Sequence, residues 1–241
     1  MKGETPEVSV VVACYNEEGV LEKSFAQLRE TLEDFGRPYE IILVDDVSRD
    51  RTREIIAGIA AANPSVVTIL HEENLGRGRT VTDGFRKARG KVAGYLDIDL
   101  EVHSRYIPSL VRAIERGADV ATIRRVYAFQ PLSLDRYVLS RGYSILVRRL
   151  LDVEILDTET GYKFFRREAL LPVLDAILDS GWFWDTEFMV RAQRKGLRIE
   201  EIPGVYERRY DKTSSVRGIR DSIQYFRKLV AFRRALKKEA R

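Results

Sequence analysis

One cysteine, Cys14, stands in 241 residues, so no disulfide forms within the chain. It lies in an apolar run, which fits a reduced, cytoplasmic setting. Long apolar stretches are missing too. No run approaches the roughly 18–20 residues of a membrane span, and charges interrupt every candidate. The opening MKGETPEV lacks the apolar stretch of a secretory signal. With no internal repeat and no low-complexity linker, the chain reads as one continuous body, residues 1–216, with a terminal helix over 217–241.

What is present is ample for a core: 44% of residues are hydrophobic and 10% aromatic. The formal charge of +4 is unevenly spread. Residues 217–241 hold nine basic and two acidic residues, so the rest of the chain is net acidic. Within that tail Ile219, Ile223, Phe226 and Val230 form a stripe, widened by Leu229, Phe232 and Leu236. Arg220, Arg227, Arg234 and Lys238 lie mainly opposite. A basic amphipathic helix of this kind suits a membrane interface; packing on the body or on a second subunit would need the same stripe.

Short β-branched runs alternate with helical periodicity through the first half. Strands are predicted at 8–13, 39–44, 66–70, 92–96 and 118–123, with helices over 18–35 and 51–62, one running through about 88 after a Gly-punctuated loop, and one over 106–115. This alternation predicts an α/β fold with a parallel sheet and helices on both faces, which binds ligands beyond the carboxyl ends of its strands. A long, broadly apolar helix with interspersed arginines follows over 134–151. Strands at 162–165 and 197–202 and helices near 168–178 and 185–195 complete the body.

Acids gather where that rule points. Tyr15-Asn16-Glu17 follows the first strand, Asp45, Asp46, Ser48 and Asp50 the second, and Asp97-Ile98-Asp99, with Glu101, the fourth. So many carboxylates at one sheet edge need a cation among them, and oxygen ligands suit Mg²⁺ or Mn²⁺. In an extended D-x-D, alternate side chains share a face, so Asp97 and Asp99 could converge on one ion that neutralises a diphosphate leaving group. A lone D-x-D is common by chance, and Asp45-Asp46 could simply cap the next helix. Their co-location favours the functional reading.

The ordered motifs VVVACYNEE, EIILVDDVSRD, NLGRG with DGFRKARG, and GYLDIDLE resemble the family 2 glycosyltransferases of GT-A fold. LSRGYSILVRRLLDVEILDTETGYKFFRRE and WDTEFMVRAQRKGLRIEEIP are similar to the polyprenyl-phosphate branch, the dolichyl-phosphate mannose and glucose synthases and their bacterial relatives. The resemblance runs from about residue 7 to 216. It implies a GT-A (Rossmann-like) domain with a mostly parallel sheet. It also implies an enzyme that moves a hexose, with inversion, from a UDP- or GDP-linked donor to a polyprenyl phosphate at the cytoplasmic face of a membrane.

Residue by residue, the resemblance implies that Ala13, Tyr15, Glu17, Asp45 and Asp46 border the nucleoside and that Arg77 approaches the donor. Asp97, Asp99 and Glu101 would hold the metal and diphosphate. Arg125, Arg136, Arg141, Lys163, Arg208 and Lys212 would serve the phosphates and acceptor. Asp157 would stand nearest the reacting centre, and Asp185, with Glu187, would contact sugar or acceptor, though W-D-T-E also begins a helix, where acids are favoured anyway. Three departures stand out, one being RRYDKTSSV where the family often has Ser-Lys, so that Lys212, Arg208 or Arg209 would supply the charge facing phosphate. Ile123-Arg124-Arg125 replaces a G-S-R triplet, which leaves Arg124 and Arg125 both as candidates for the phosphate contact, and Val47 stands where the family has glycine after VDD, so that turn is expected to follow a different backbone path.

A polyprenyl phosphate is largely a dianion at neutral pH, its second pKa being near 6, so positioning and electrostatics would dominate over general-base work. The alternative is a family 2 enzyme acting on a sugar hydroxyl, which needs a base. A nucleotidyltransferase would want a Gly-rich loop and lysine where YNEEG stands. Nucleic-acid binding fits poorly with the acidic body. Sugar, base and oligomeric state are not legible.

Overall fold

A computed structural model describes residues 5–127, 134–207 and 218–239. The strands are β1 (Val8–Cys14), β2 (Tyr39–Asp45), β3 (Val66–Leu70), β4 (Val92–Leu96), β5 (Val120–Tyr127), β6 (Tyr162–Arg166) and β7 (Ile199–Tyr206). The helices are α1 (Leu21–Phe35), α2 (Thr52–Ala62), α3 (Arg77–Lys87), α4 (Ile107–Glu115), α5 (Leu134–Leu151), α6 (Arg167–Leu174), α7 (Trp184–Arg194) and α8 (Gly218–Glu239). The seven strands form one sheet in the order β3-β2-β1-β4-β6-β5-β7.

β1 lies at the heart of the parallel part. It pairs with β2 from Val8↔Tyr39 to Cys14↔Asp45, and with β4 from Val8↔Val92 to Val11↔Tyr95. VSVVVAC suits that place because both faces are covered, so a continuous apolar run replaces the alternation of a half-exposed strand. Val10, Val12, Ile41 and Leu43 face one layer with α1 and α4, packing on Leu28, Leu32 and Leu110. Val11, Ile42 and Val44 face the other, with Phe85 of α3 and Trp184 and Phe188 of α7. α1 stops at Gly36, whose φ of 68° is the left-handed cap that glycine reaches without strain.

The second half departs from the parallel pattern. β6 runs antiparallel to both β4 and β5, and β5 and β7 pair in parallel over their full lengths, Val120↔Ile199 to Tyr127↔Tyr206. That long mutual pairing explains why both strands extend about four residues beyond the sequence expectation.

α8 does not stand apart from the body. Its Leu229, Phe232 and Leu236 are buried with Val147 and Leu151 of α5, Phe183, and Val190 of α7. Arg191 reaches Glu239 at 3.0 Å, and Lys228 pairs with Asp179. The apolar stripe of the tail thus packs, over these residues, on its own domain, while Phe226 stays half exposed. No described helix is long and apolar enough to cross a membrane.

Candidate functional site

The carboxyl ends of β1, β2 and β4 and the start of β6 meet at one edge of the sheet. At β1, Ala13 is half-buried, Tyr15 is exposed, and the Glu17 N–H donates to Thr52 Oγ1 at 2.8 Å. At β2 both acids are buried and serve the protein itself. Asp45 accepts from the N–H groups of Val47 (3.0 Å) and Ser48 and from Arg53 Nε at 2.5 Å. Asp46 accepts from the N–H groups of Leu75 (2.8 Å) and Gly76 (2.9 Å), with His71 Nδ1 at 2.9 Å. It thereby fixes the loop that delivers Arg77.

The turn after Asp46 corrects one expectation. Val47 adopts φ 65°, the left-handed region, so the chain keeps the conformation that glycine would favour instead of taking another path. A β-branched residue is strained there, and the two N–H bonds to Asp45 hold the turn in place.

Asp97 and Asp99 do not continue the strand. Residues 97–100 form a turn, closed by the Leu100 N–H on the Asp97 carbonyl at 3.1 Å, with Leu100 at φ 51°. The alternation argued for an extended D-x-D therefore does not apply. Among the described residues no three acid, histidine or cysteine side chains gather as a metal-holding set. Glu101 accepts from the Tyr206 hydroxyl at 2.5 Å. Asp97, with a side chain 44% exposed, and Asp99 are nonetheless hard oxygen donors at the open sheet edge. Such a pair fits Mg²⁺ or Mn²⁺ when substrate phosphates supply further oxygens.

Arg77 is the pivot between the two halves. Gly76, at φ 86°, starts α3, and Gly78 lets the helix press against Trp184, since a Cβ there would come within 2.5 Å of the Trp184 Cβ. Arg77 Nη2 and Nε meet Asp97 Oδ1 at 2.6 and 3.1 Å, and Nη1 meets Asp185 Oδ2 at 2.6 Å. Its guanidinium lies over the rings of Tyr95 (5.4 Å) and Trp182 (5.0 Å). Burial opposes its charge, but Asp97 and Asp185 outweigh that and raise its pKa.

The other Asp185 oxygen takes Lys163 Nζ at 2.7 Å and the Tyr95 hydroxyl. Burial pushes the Asp185 carboxyl up to about 7 against the pull of Arg77, and pushes the Lys163 ammonium well below its usual range. A helix-start role alone does not explain Asp185, whose side chain is 3% exposed and spans two cations.

A second ion pair sits beside this network. Asp157 accepts from Arg125 Nε at 2.7 Å and Nη2 at 2.9 Å, and from the Arg125 and Glu159 N–H groups. Burial disfavours its ionisation, yet Arg125 holds its carboxyl below the ordinary range. Of the two candidate arginines, Arg125 is the one that turns to this acid. Sequence reasoning passed over Glu159, whose carboxylate lies 3.6 Å from Arg125 and is pushed up to about 7 by burial. It also passed over Glu201, which accepts from the N–H groups of Leu156 and Asp157 at 3.0 Å. Neither carries a local signal, since each matters through a partner distant in sequence. Arg208, Arg209 and Lys212 lie outside the described residues. Arg136 and Arg141 belong to α5, with side chains outside the described set.

The family model described as Glycosyl transferase family 2 matches residues 9–173. Glycosyltransferase AglD of Haloferax volcanii is 37% identical over 219 residues, which is 88% of this chain and 35% of that protein. Undecaprenyl-phosphate 4-deoxy-4-formamido-L-arabinose transferase of Shewanella sediminis is 35% identical over 70% of this chain and 50% of its own length. Dolichyl-phosphate beta-glucosyltransferase of Saccharomyces cerevisiae is 29% identical over 95% of this chain and 74% of its own length. The chain thus spans between about a third and three quarters of these relatives. Among solved structures, glucosyl-3-phosphoglycerate synthase from Mycobacterium tuberculosis superposes with a TM-score of 0.67 at 19% identity. The match covers 94% of this chain and 78% of that one, in a complex with Mn²⁺, UDP and glucosyl-3-phosphoglycerate. A complex of the same enzyme with Mg²⁺ and UDP gives 0.66 at 20% identity, over 94% and 77%. At such identities the likeness is one of fold.

Proposed function

Because this chain belongs to glycosyl transferase family 2, we propose that it moves a hexose from a nucleotide-sugar donor to a polyprenyl phosphate at a membrane surface. The observation that carries the reading is the pairing of two features at one sheet edge. One is the open Asp97–Asp99 turn; the other is a cluster of basic side chains, Arg77, Lys163 and Arg125, each held by a buried acid. Two relatives bear names that specify undecaprenyl or dolichyl phosphate, which supports the lipid-phosphate acceptor.

An acceptor phosphate oxygen attacks the anomeric carbon. A new C–O bond forms as the bond to the diphosphate oxygen breaks, with inversion, and its electrons leave on the nucleoside diphosphate. The acceptor is already largely a dianion, so no proton need be removed first. A divalent ion held by Asp97 and Asp99 would neutralise the departing diphosphate; metal-bound complexes of the M. tuberculosis neighbour are consistent with this. Arg77 places positive charge beside the donor, and Lys163, fully buried behind it, holds Asp185 in position. Arg125, oriented by its two-point contact with Asp157, offers its charge to the acceptor phosphate. Ala13, Tyr15 and Glu17 border the nucleoside, while Asp45 and Asp46 shape the loops around it. Outside its core, α8 exposes Arg227, Arg233, Arg234, Lys237 and Lys238, a basic face suited to anionic headgroups.

The test is an acceptor comparison with radiolabelled nucleotide sugars and Mg²⁺ or Mn²⁺. A short polyprenyl phosphate should be glycosylated, with the product configuration opposite to the donor's, and the matching polyprenol should not. Transfer to the alcohol, or only to a sugar hydroxyl, would overturn the acceptor assignment.

A further inference from the structure

Arg77 makes two contacts of unlike character. Toward Asp185 it is deeply set: the side chains are 11% and 3% exposed, and Lys163 and Tyr95 close the other side of that carboxylate. Toward Asp97 it is set against a carboxylate 44% exposed, on the turn assigned above to the metal. Both Nε and Nη2 converge on one oxygen, Asp97 Oδ1. The guanidinium also lies over the rings of Tyr95 and Trp182, at 5.4 and 5.0 Å, while Asp185 holds its other side. The backbone is shaped around this pair. A Cβ at Gly161 would collide with both the Asp97 carboxylate and Arg77, and the Asp97 N–H donates to the Gly161 carbonyl at 3.0 Å.

We propose that Arg77 is a resident cation that holds Asp97 until a nucleoside diphosphate arrives, so that a divalent metal and the Arg77 guanidinium compete for one carboxylate. The inference rests on the metal role of Asp97 proposed above. Without nucleotide, a dication approaching Asp97 displaces Arg77 from its exposed anchor and meets a like charge that Asp185 keeps nearby. A diphosphate removes both penalties, because its oxygens accept from the released guanidinium and bridge to the metal. Metal and nucleotide then bind cooperatively, and by linkage each raises the affinity of the other by the same factor.

Mn²⁺ binding, followed by loss of the free-ion electron paramagnetic resonance signal, tests this without turnover. Titrations of the wild type and Arg77→Met run with the metal alone, then with UDP or GDP added. The pairing is charge-assisted on a part-exposed partner, so Arg77→Met should bind Mn²⁺ alone about tenfold or more tighter than the wild type. The gain in Mn²⁺ affinity on adding nucleotide should shrink by a similar factor. Arg77→Lys, which keeps the charge but lacks the fork that reaches both acids, should fall between and covers the case in which the methionine variant does not fold. If both variants bind Mn²⁺ alone no tighter than the wild type, while nucleotide still promotes binding in all three, the competition is refuted and the metal site stands. If no form binds Mn²⁺ even with UDP or GDP, the metal role of Asp97 falls with it.

Discussion

Arg125 and Asp157 are predicted to be energetically coupled far more strongly than a surface pair. Their side chains are 17% and 9% exposed, and both carboxylate oxygens face guanidinium nitrogens at 2.7 and 2.9 Å. Arg125→Met would leave the Asp157 charge with backbone N–H donors only, at a cost of about 3–5 kcal/mol, the range for breaking a buried pair. Asp157→Leu would leave Arg125 with the Glu159 carboxylate at 3.6 Å, so its cost should fall at the lower end of that range. The double variant removes the stranded charge but leaves the Arg125 and Glu159 N–H groups without their acceptor, worth about 1–3 kcal/mol. The cycle should therefore show a coupling of at least about 2 kcal/mol. Urea unfolding reads this as shifts of the midpoint at constant slope. Asp157 is held below the ordinary carboxylate range, so its contribution is present above the unfolded pKa of about 4 and is lost as pH falls through the folded one. The gap between wild type and Arg125→Met should narrow accordingly in acid. Single-variant losses that simply add, to within about 0.5 kcal/mol, would refute the argument.

Glu159 gives the opposite pH dependence. With its folded pKa at about 7 and an unfolded value near 4.3, the folded state binds the extra proton between them, so its contribution to stability falls as pH rises through that window. Glu159→Gln should raise the melting temperature at pH 8 and leave it nearly unchanged at pH 4; a shift of equal size at both would exclude the assignment. Gly78→Ala should cost about 1–3 kcal/mol, because the added methyl meets Trp184 and the Gly181 carbonyl, and should also impair donor binding by moving Arg77. Unchanged stability and nucleotide affinity would contradict that packing. Val47→Gly should stabilise by up to about 1 kcal/mol, the relief at φ 65° exceeding the added chain entropy, whereas a clear loss in thermal unfolding would show the strain to be overstated. Reversing Arg233 and Arg234 to Glu should weaken sedimentation with anionic vesicles without lowering the melting temperature, since both are exposed. Undiminished vesicle binding would remove that face from the membrane account.

The strands of the first half were legible because their signal is local. VVTIL and VAGYL are strands at the expected residues, and the helix over 134–151 has its expected bounds. What depends on distant partners was not. Nothing in YKFFR says that it runs antiparallel between β4 and β5, nor that β5 and β7 lengthen by pairing with each other. The acids at the strand ends could be found from their spacing, but spacing did not show that Asp46 accepts from the N–H groups of residues 75 and 76. Nor did it show that Asp97 and Asp99 lie on a turn. The glycine rule failed at Val47 because it ignored Asp45, whose carboxylate accepts the very N–H groups that define the turn. In α8, periodicity revealed a stripe but not its cover, which α5 and α7 supply at Leu229, Phe232 and Leu236.

The most direct test of the central claim is sugar transfer from a panel of labelled nucleotide sugars to a polyprenyl phosphate, with and without chelator, by the wild type and Asp97→Asn. The account predicts a lipid-phosphate-linked sugar from one donor, lost on chelation and reduced at least a hundredfold, about 2.7 kcal/mol in the barrier, in the variant. Transfer that survives both the chelator and Asp97→Asn would contradict it.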